Sequence, residues 1–234
     1  MGSPALSAWP PPSWEVPAFL GAHRDLSIVP GDDDALHIAG PLRTAVAGPD
    51  GRVVQLDYSI EIVVPPGHPR ELPRVRETSG RIERGFHRIE DDFLCLGAPL
   101  RLLIQTAQSP SLEAFFRYAV LTYFLGHASW KQFGKMALGE LPHGSAGLVV
   151  DYCDLLGARD AAECRRALTA LGLRKRVANK QPCPCGSGVR LGRCHNLKFR
   201  GLRRRASRSM CREALRSIPD GVESPRVAPR RCVS

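Results

Sequence analysis

The chain has 234 residues, of which 43% are hydrophobic, and its formal net charge at pH 7 is +10. This length allows one domain of ordinary size with an appendage, and the apolar content is enough for a hydrophobic core. No run of eighteen apolar residues occurs, which predicts no membrane span, and the N-terminus lacks the basic and apolar regions of a secretion signal. These features predict a cytoplasmic protein.

The first half of the chain predicts strands. Residues 1–34 are rich in Pro, Gly and Asp and predict a loosely ordered lead. Apolar side chains then alternate from residue 36, and after a turn at 48–51 a second alternating run covers 54–64. Two such strands joined by a short turn predict an antiparallel hairpin. Prolines end the second strand, and a third strand is predicted around Val75.

Helical spacing begins after residue 108. The first predicted helix covers 109–126, with a serine and a proline at its start. The second covers 160–172, where Asp160 and Glu163 predict a capping box. One short helix is predicted near 210–218. Strands followed by helices indicate an α+β fold, an antiparallel β-meander with flanking helices.

Four potential metal ligands lie within thirteen residues of the C-terminal region. They form two close pairs separated by Gly-Ser-Gly, which can turn the chain sharply. The ligands are Cys183, Cys185, Cys194 and His195. Three thiolates and an imidazole predict a tetrahedral Zn²⁺ site. The alternative is one or two disulfides with a free histidine, which agrees poorly with a reducing compartment.

This stretch resembles the SEC-C motif, the zinc module at the tail of the bacterial preprotein translocase motor ATPase and in many other bacterial proteins. The matching features are Cys-Pro-Cys-Gly-Ser-Gly, the basic spacer Arg190 to Arg193 and Cys-His, with eight residues between Cys185 and Cys194. The resemblance covers about twenty-five residues, and it implies zinc binding and a role as an interaction element for a protein partner.

The charge is concentrated at the C-terminal end. Residues 172–234 carry 17 Lys and Arg against three acidic residues, a net charge of +14, which leaves −4 for residues 1–171. This asymmetry predicts an anionic partner, whether RNA, DNA or an acidic protein face. The alternative is a solvated basic tail without a dedicated partner, since the arginines are not regularly interleaved with aromatic residues.

Residues 35–125 resemble the ubiquitin-conjugating enzyme (UBC-like) fold. The resemblance rests on short matches, which are Gly40, the strand 57–64, the proline-rich passage 65–75, and Leu94-Cys95-Leu96. In that family the cysteine of the apolar-Cys-Leu motif carries a thioester. The resemblance therefore implies a ubiquitin-like cargo on Cys95 and a bacterial conjugating activity.

The sequence departs from that family near Cys95. The family has an asparagine in a His-Pro-Asn motif before its cysteine, whereas the asparagines here lie far along the chain. His87, eight residues before Cys95, is the candidate to donate to an oxyanion or to hold a thiolate. Asp91 and Asp92 are candidates to orient or deprotonate an incoming amine. The alternative interpretation is that His87 is an ordinary loop residue and that Cys95 is a buried, inert thiol within an apolar run.

These observations predict four segments. They are a Pro-rich lead (1–34), an α+β UBC-like domain (35–172), a SEC-C zinc module (173–200) and a basic, largely disordered tail (201–234). Three functions follow, namely a zinc-binding adaptor for a protein partner, a conjugating enzyme acting through Cys95, and a nucleic-acid-associated protein acting through the basic tail.

Overall fold

The structure is a computed structural model in which the chain divides into two units. It describes residues 9–48, 50–83, 86–136 and 144–218. The first unit takes residues 1–97 and 105–139, and the second takes 98–104 and 140–234. The candidate metal ligands belong to the second unit, and Cys95 belongs to the first.

A four-stranded antiparallel sheet forms the centre of the first unit. The strands are β1 (Ser27–Val29), β2 (Leu36–Ala47), β3 (Val53–Val64) and β4 (Arg74–Glu77), and each pairs with the next along the chain. In the long hairpin Leu36 lies opposite Val64 and Ala47 opposite Val53. The predicted β-meander is therefore confirmed, including the third predicted strand at Val75.

Alternation explains why β3 is a strand. Its even-numbered apolar side chains, Val54, Leu56, Tyr58, Ile60, Ile62 and Val64, are all buried. The polar residues between them face away from the core, because successive side chains of a strand point to opposite faces. Burial of one face fixes the register of the hairpin.

The first unit also contains helices, which come before and after the strands in the sequence. They are α1 (Val16–Ala22), the end of α2 (Pro99–Gln108), α3 (Leu112–Phe115), a π-helical turn (Phe116–Val120) and α4 (Leu121–Phe133). The predicted lead is therefore partly ordered, and Trp14 and Phe19 are fully buried in it. Helix α2 was not predicted.

The first predicted helix has different ends in the structure. Ser111, rather than Ser109, caps α3, and its side chain accepts a hydrogen bond from the Ala114 backbone at 3.3 Å. Helix α4 continues through Gly126 and ends at Gly134, whose φ of +67° is a left-handed conformation that glycine adopts without strain. Gly126 is buried inside the helix, so it packs rather than terminates.

The second unit is helical. Its elements are the start of α2, α5 (Gly144–Leu156), α6 (Ala161–Gly172), α7 (Lys175–Ala178), α8 (Asn196–Arg205) and α9 (Arg208–Arg216). Asp160 caps α6 as predicted, since its carboxylate accepts from the Glu163 backbone at 2.7 Å. Helix α5 was not predicted. One core contains side chains from α5, α6, the metal motif, α8 and α9.

The predicted segment boundaries at 172 and 200 fall inside this shared core. Residues 201–218 contain the end of α8 and all of α9, where the sequence predicted a largely disordered tail. They are ordered because Leu202, Met210 and Cys211 are buried against the other helices. None of the helices in the described part of the chain is long and apolar enough to cross a membrane.

Candidate metal centre

The first ligand pair lies on a small hairpin. Pro182 and Arg190 form an isolated antiparallel bridge, and the backbone N–H of Cys183 donates to the Val189 carbonyl at 2.8 Å. Gly186 and Gly188 make the turn with φ of +80° and +74°, a conformation that side chains strongly disfavour. The Gly-Ser-Gly sequence therefore allows the Cys-Pro-Cys segment to fold back on itself.

The second ligand pair lies at the start of a helix. A short 3₁₀ turn, Leu191–Arg193, follows the hairpin, and Leu191 is fully buried. Cys194 comes next, and His195 is the N-cap residue of α8. The turn and the buried leucine bring this pair back over the hairpin. The position of α8 and the position of two ligands are thus fixed by the same few residues.

The four side chains converge. The Nδ1 atom of His195 lies 3.2 Å from Sγ of Cys183 and 3.2 Å from Sγ of Cys194. The Sγ atoms of Cys185 and Cys194 are 3.7 Å apart, and all four donor atoms lie within 4.8 Å of one another. Ligands about 2.0–2.3 Å from a tetrahedral Zn²⁺ are separated from each other by about 3.5–3.8 Å. The donor set and its spacing fit one such ion.

The immediate surroundings of the thiols differ. Burial raises the pKa of Cys183, which is 2% exposed, whereas hydrogen bonds from the side chain and then the backbone of Ser187 lower the pKa of the half-buried Cys185. Metal ligation requires thiolates, and a divalent cation stabilises them where burial alone would not. Of the two thiols, Cys183 therefore depends more on the cation for its deprotonation than Cys185 does.

Two arginines attach the hairpin to the N-terminal part of α6. Arg159 donates to the Cys185 carbonyl at 2.6 Å, and Arg166 donates to the Pro184 carbonyl at 2.8 Å. The carboxylate of Glu163 holds Arg159 at 2.7 Å. Sequence reasoning did not identify these arginines. Arg159 precedes the N-cap residue Asp160 and Arg166 lies within α6, so no helix-face pattern marks the pair in the sequence.

The other candidate site residues lie in the first unit. Cys95 is exposed, and its backbone N–H donates to the His87 carbonyl at 2.7 Å. Asp91 and Asp92 are also exposed and form the tip of the loop between His87 and Cys95. The expectation that Cys95 is a buried thiol is wrong for this structure, because Leu94 points inward and Cys95 outward. The structure joins His87 and Cys95 through their backbones.

Among the described residues, no further cysteine or histidine joins the metal cluster. Cys153, Cys164 and Cys211 are buried free thiols, and all seven cysteines in the described residues are free. His68 is 5% exposed, and its Nε2 atom donates to the Pro110 carbonyl at 2.8 Å. Cys232 and His143 lie outside the described residues.

Comparison with known proteins supports the local assignment. A family model described as the SEC-C motif matches residues 180–196, a range that contains all four candidate ligands. A search of curated proteins and a search of solved structures each found no match. Residues 180–196 of this chain therefore constitute a SEC-C motif with a cysteine and histidine cluster suited to binding a metal ion.

Proposed function

We propose that this chain is a zinc-binding protein in which the ion organises the SEC-C motif as an interaction element. The convergence of three thiols and one imidazole within 4.8 Å carries this proposal. Zn²⁺ accepts such a mixed set in tetrahedral geometry, and four protein ligands leave no position open for a substrate. The ion would therefore have a structural role, in which it links the Cys183–Cys185 segment to the Cys194–His195 segment.

The structural role has a consequence for α8. His195 is both a candidate ligand and the N-cap residue of this helix, so ligation would fix where α8 begins. Free thiols throughout the described chain support residence in a reducing compartment such as the cytoplasm. The adaptor hypothesis, in which the motif binds a protein partner, is a proposal that rests on the resemblance to the SEC-C motif.

Metal analysis tests the zinc proposal directly. The purified full-length chain should contain one zinc per molecule, and substitution with Co²⁺ should give the intense absorption of a tetrahedral sulfur-rich site. His195→Cys provides a matched variant that keeps four ligands and should shift the Co²⁺ spectrum while keeping the stoichiometry. A chain that binds no zinc, or whose Co²⁺ spectrum indicates an octahedral oxygen site, would refute the proposal.

A second candidate function is thiol chemistry at Cys95. The specific observation in its favour is an exposed thiol at the end of a short hairpin, directly after the buried Leu94. The order of elements in the first unit, a helix, a four-stranded meander, a cysteine loop and further helices, supports the UBC-like proposal. The corresponding reaction is acyl transfer.

The loop before Cys95 is held by side chains of α4. The Tyr123 hydroxyl donates to the Phe86 carbonyl at 3.2 Å and lies 3.4 Å from the His87 carbonyl. The same His87 carbonyl accepts the Cys95 N–H, so Tyr123 supports the backbone opposite the thiol. A positioned nucleophile needs such support, since small displacements from reacting geometry reduce rates strongly.

A polar network that extends from the buried His127 to the exposed Glu83 holds the start of this loop. His127 is 0% exposed, and its Nε2 atom donates to Glu83 at 3.0 Å while its Nδ1 atom accepts from the Tyr58 hydroxyl at 2.7 Å. Hydrogen bonds from Lys131 and then His127 lower the pKa of Glu83 to about 2. The carboxylate is therefore charged at neutral pH and fixes the loop to α4.

The proposed chemistry at Cys95 is balanced as two steps. The Cys95 thiolate attacks the carbonyl carbon of an activated ubiquitin-like acyl donor, and the donor's leaving group departs as the thioester forms. A lysine amine then attacks the thioester carbonyl, losing its proton, and the Cys95 thiolate is released. His87 and the aspartates remain proposed helpers in these steps.

Thiol labelling tests whether Cys95 is available for such chemistry. In a Cys232→Ser background, with zinc left in place to mask the ligands, one equivalent of iodoacetamide should react in the folded chain, and a further Cys95→Ser substitution should abolish that reaction. Tyr123→Phe is the matched positioning variant, which should change the labelling rate without removing the label. Labelling of Cys95 only after denaturation would exclude it as a nucleophile.

A further inference from the structure

Helix α8 distributes its charged side chains between two faces. On the inner face Phe199 and Leu202 are buried, and two cations are committed to backbone carbonyls of the second unit. Lys198 donates to the Gly157 carbonyl at 2.8 Å, and Arg203 donates to the Ala170 carbonyl at 2.8 Å. These two cations are therefore structural, and they are separate from the remaining arginines of the helix.

The outer face of α8 is exposed and basic. Its members recur at the three- and four-residue spacing of one helix face, and they are Leu197, Arg200, Gly201, Arg204 and Arg205. Within the described residues, none of the three arginines has an acidic partner. A Cβ atom added at Gly201 would meet nothing within 4 Å, so the face is open between the arginines.

Helix stability accounts for only part of this charge. Cations in the last turn of a helix interact favourably with the helix dipole, which covers Arg204 and Arg205. Arg200 lies in the middle of the helix, beyond the reach of that effect, and points to the same side. An outward row that includes Arg200 indicates a ligand rather than a cap.

We propose that this outer face of α8 binds the phosphate backbone of duplex nucleic acid without reading its sequence. The planar guanidinium group pairs with phosphate oxygens through two parallel hydrogen bonds, and all three cations on this face are arginines. Residues 172–218 contain a single Phe, Trp or Tyr, Phe199, and it is buried. This face therefore offers no aromatic ring on which an unpaired base could stack, whereas its arginines can contact the phosphate backbone.

Two other anionic partners are less compatible with the same face. A helix that lies on a membrane turns its apolar face to the lipid, but the apolar face of α8 is buried in the protein. A protein interface requires a central apolar or aromatic cluster, and the outer face offers only Leu197, which is 78% exposed. Phosphate contact needs neither feature.

The experiment measures binding of the full-length, zinc-loaded chain to short mixed-sequence duplexes of DNA and of RNA by fluorescence anisotropy. The test variant combines Arg200→Gln, Arg204→Gln and Arg205→Gln, since glutamine keeps a similar helix propensity. The control combines Arg24→Gln, Arg70→Gln and Lys135→Gln, which removes the same charge from exposed positions of the first unit. Zinc content and circular dichroism verify that each variant is folded.

The salt dependence gives the decisive readout. Each phosphate contact contributes about −0.9 to the slope of log affinity against log salt, so three contacts contribute about −2.7. Between about 50 and 200 mM salt, the wild-type and control proteins should therefore lose about 40-fold more affinity than the test variant. The DNA and RNA arms identify which duplex is preferred, and permuting the sequence should not change affinity.

Several results would overturn the proposal. Equal salt slopes for the test and control variants would show that α8 makes no phosphate contacts. Binding of poly-glutamate or of phosphatidylserine vesicles in place of either duplex would assign the face to another partner. The zinc measurement keeps the two proposals distinct, because a zinc-free chain that still binds duplex through these arginines would refute only the metal site.

Discussion

Replacement of Cys185 by serine will remove zinc from the chain and unfold the motif, including the start of α8. Within residues 181–195 the buried apolar side chains are only Cys183, Pro184 and Leu191, so this stretch has too little burial of its own to keep its fold without the ion. Structural zinc contributes about 10–16 kcal/mol of binding free energy in small modules at neutral pH, and loss of one ligand removes much of it. The first unit should remain folded.

Zinc stoichiometry and hydrogen exchange measure this outcome. Backbone amides of 181–195 should lose protection in Cys185→Ser, while those of β3 keep it. Cys95→Ser is the matched control, because it makes the same chemical change at an exposed cysteine of the first unit. Full zinc stoichiometry in Cys185→Ser would show that the four-ligand assignment is wrong.

The metal centre could be predicted from the sequence because its information is local. Two ligand pairs, a glycine turn between them and a short spacer are all contained within thirteen residues. The supporting contacts could not be predicted in the same way. Arg159 and Arg166 reach the hairpin only after α6 has packed against it, and no local pattern marks a hydrogen bond to a distant carbonyl.

The strands were predictable and several helices were not, for the same physical reason. β3 buries one face, so its side chains alternate cleanly along the sequence. Helix α4 is buried on several sides, including Gly126 and His127, so its apolar residues do not form one stripe. A glycine within such a helix resembles a stop signal when only the sequence is known. Helix α5 is likewise buried on several sides.

The exposure of Cys95 could not be predicted from the apolar composition of the surrounding sequence. The sequence Phe-Leu-Cys-Leu is apolar throughout and equally consistent with a buried or an exposed thiol. In the structure Phe93 and Leu94 are buried, whereas Cys95 is exposed. The reason is the short hairpin between residues 87 and 95, which no alternating pattern marks in the sequence. Only the loop geometry decides between the two interpretations.

Replacement of Phe199 by alanine will destabilise the second unit by about 3–5 kcal/mol, the usual cost of removing a large buried side chain. Phe199 is 3% exposed, and with Cys183, Cys185 and His195 it lines a small cavity beneath the motif. Because the ligands and α8 share this support, zinc affinity should fall together with the free energy of unfolding. Chemical denaturation and zinc competition with a chelator measure the two quantities.

Leu197→Ala is the matched control, since it removes an apolar side chain from the same helix at a position that is 78% exposed. Its effect on stability should stay within about 0.5 kcal/mol, as for other exposed positions. If Phe199→Ala lost no more stability than Leu197→Ala and both losses were small, α8 would be held by its charged contacts, through Lys198 and Arg203, rather than by its apolar face. A large loss confined to Phe199→Ala would instead establish that the metal motif and α8 form one packed element, which is the condition for presenting the outward arginines in a fixed arrangement.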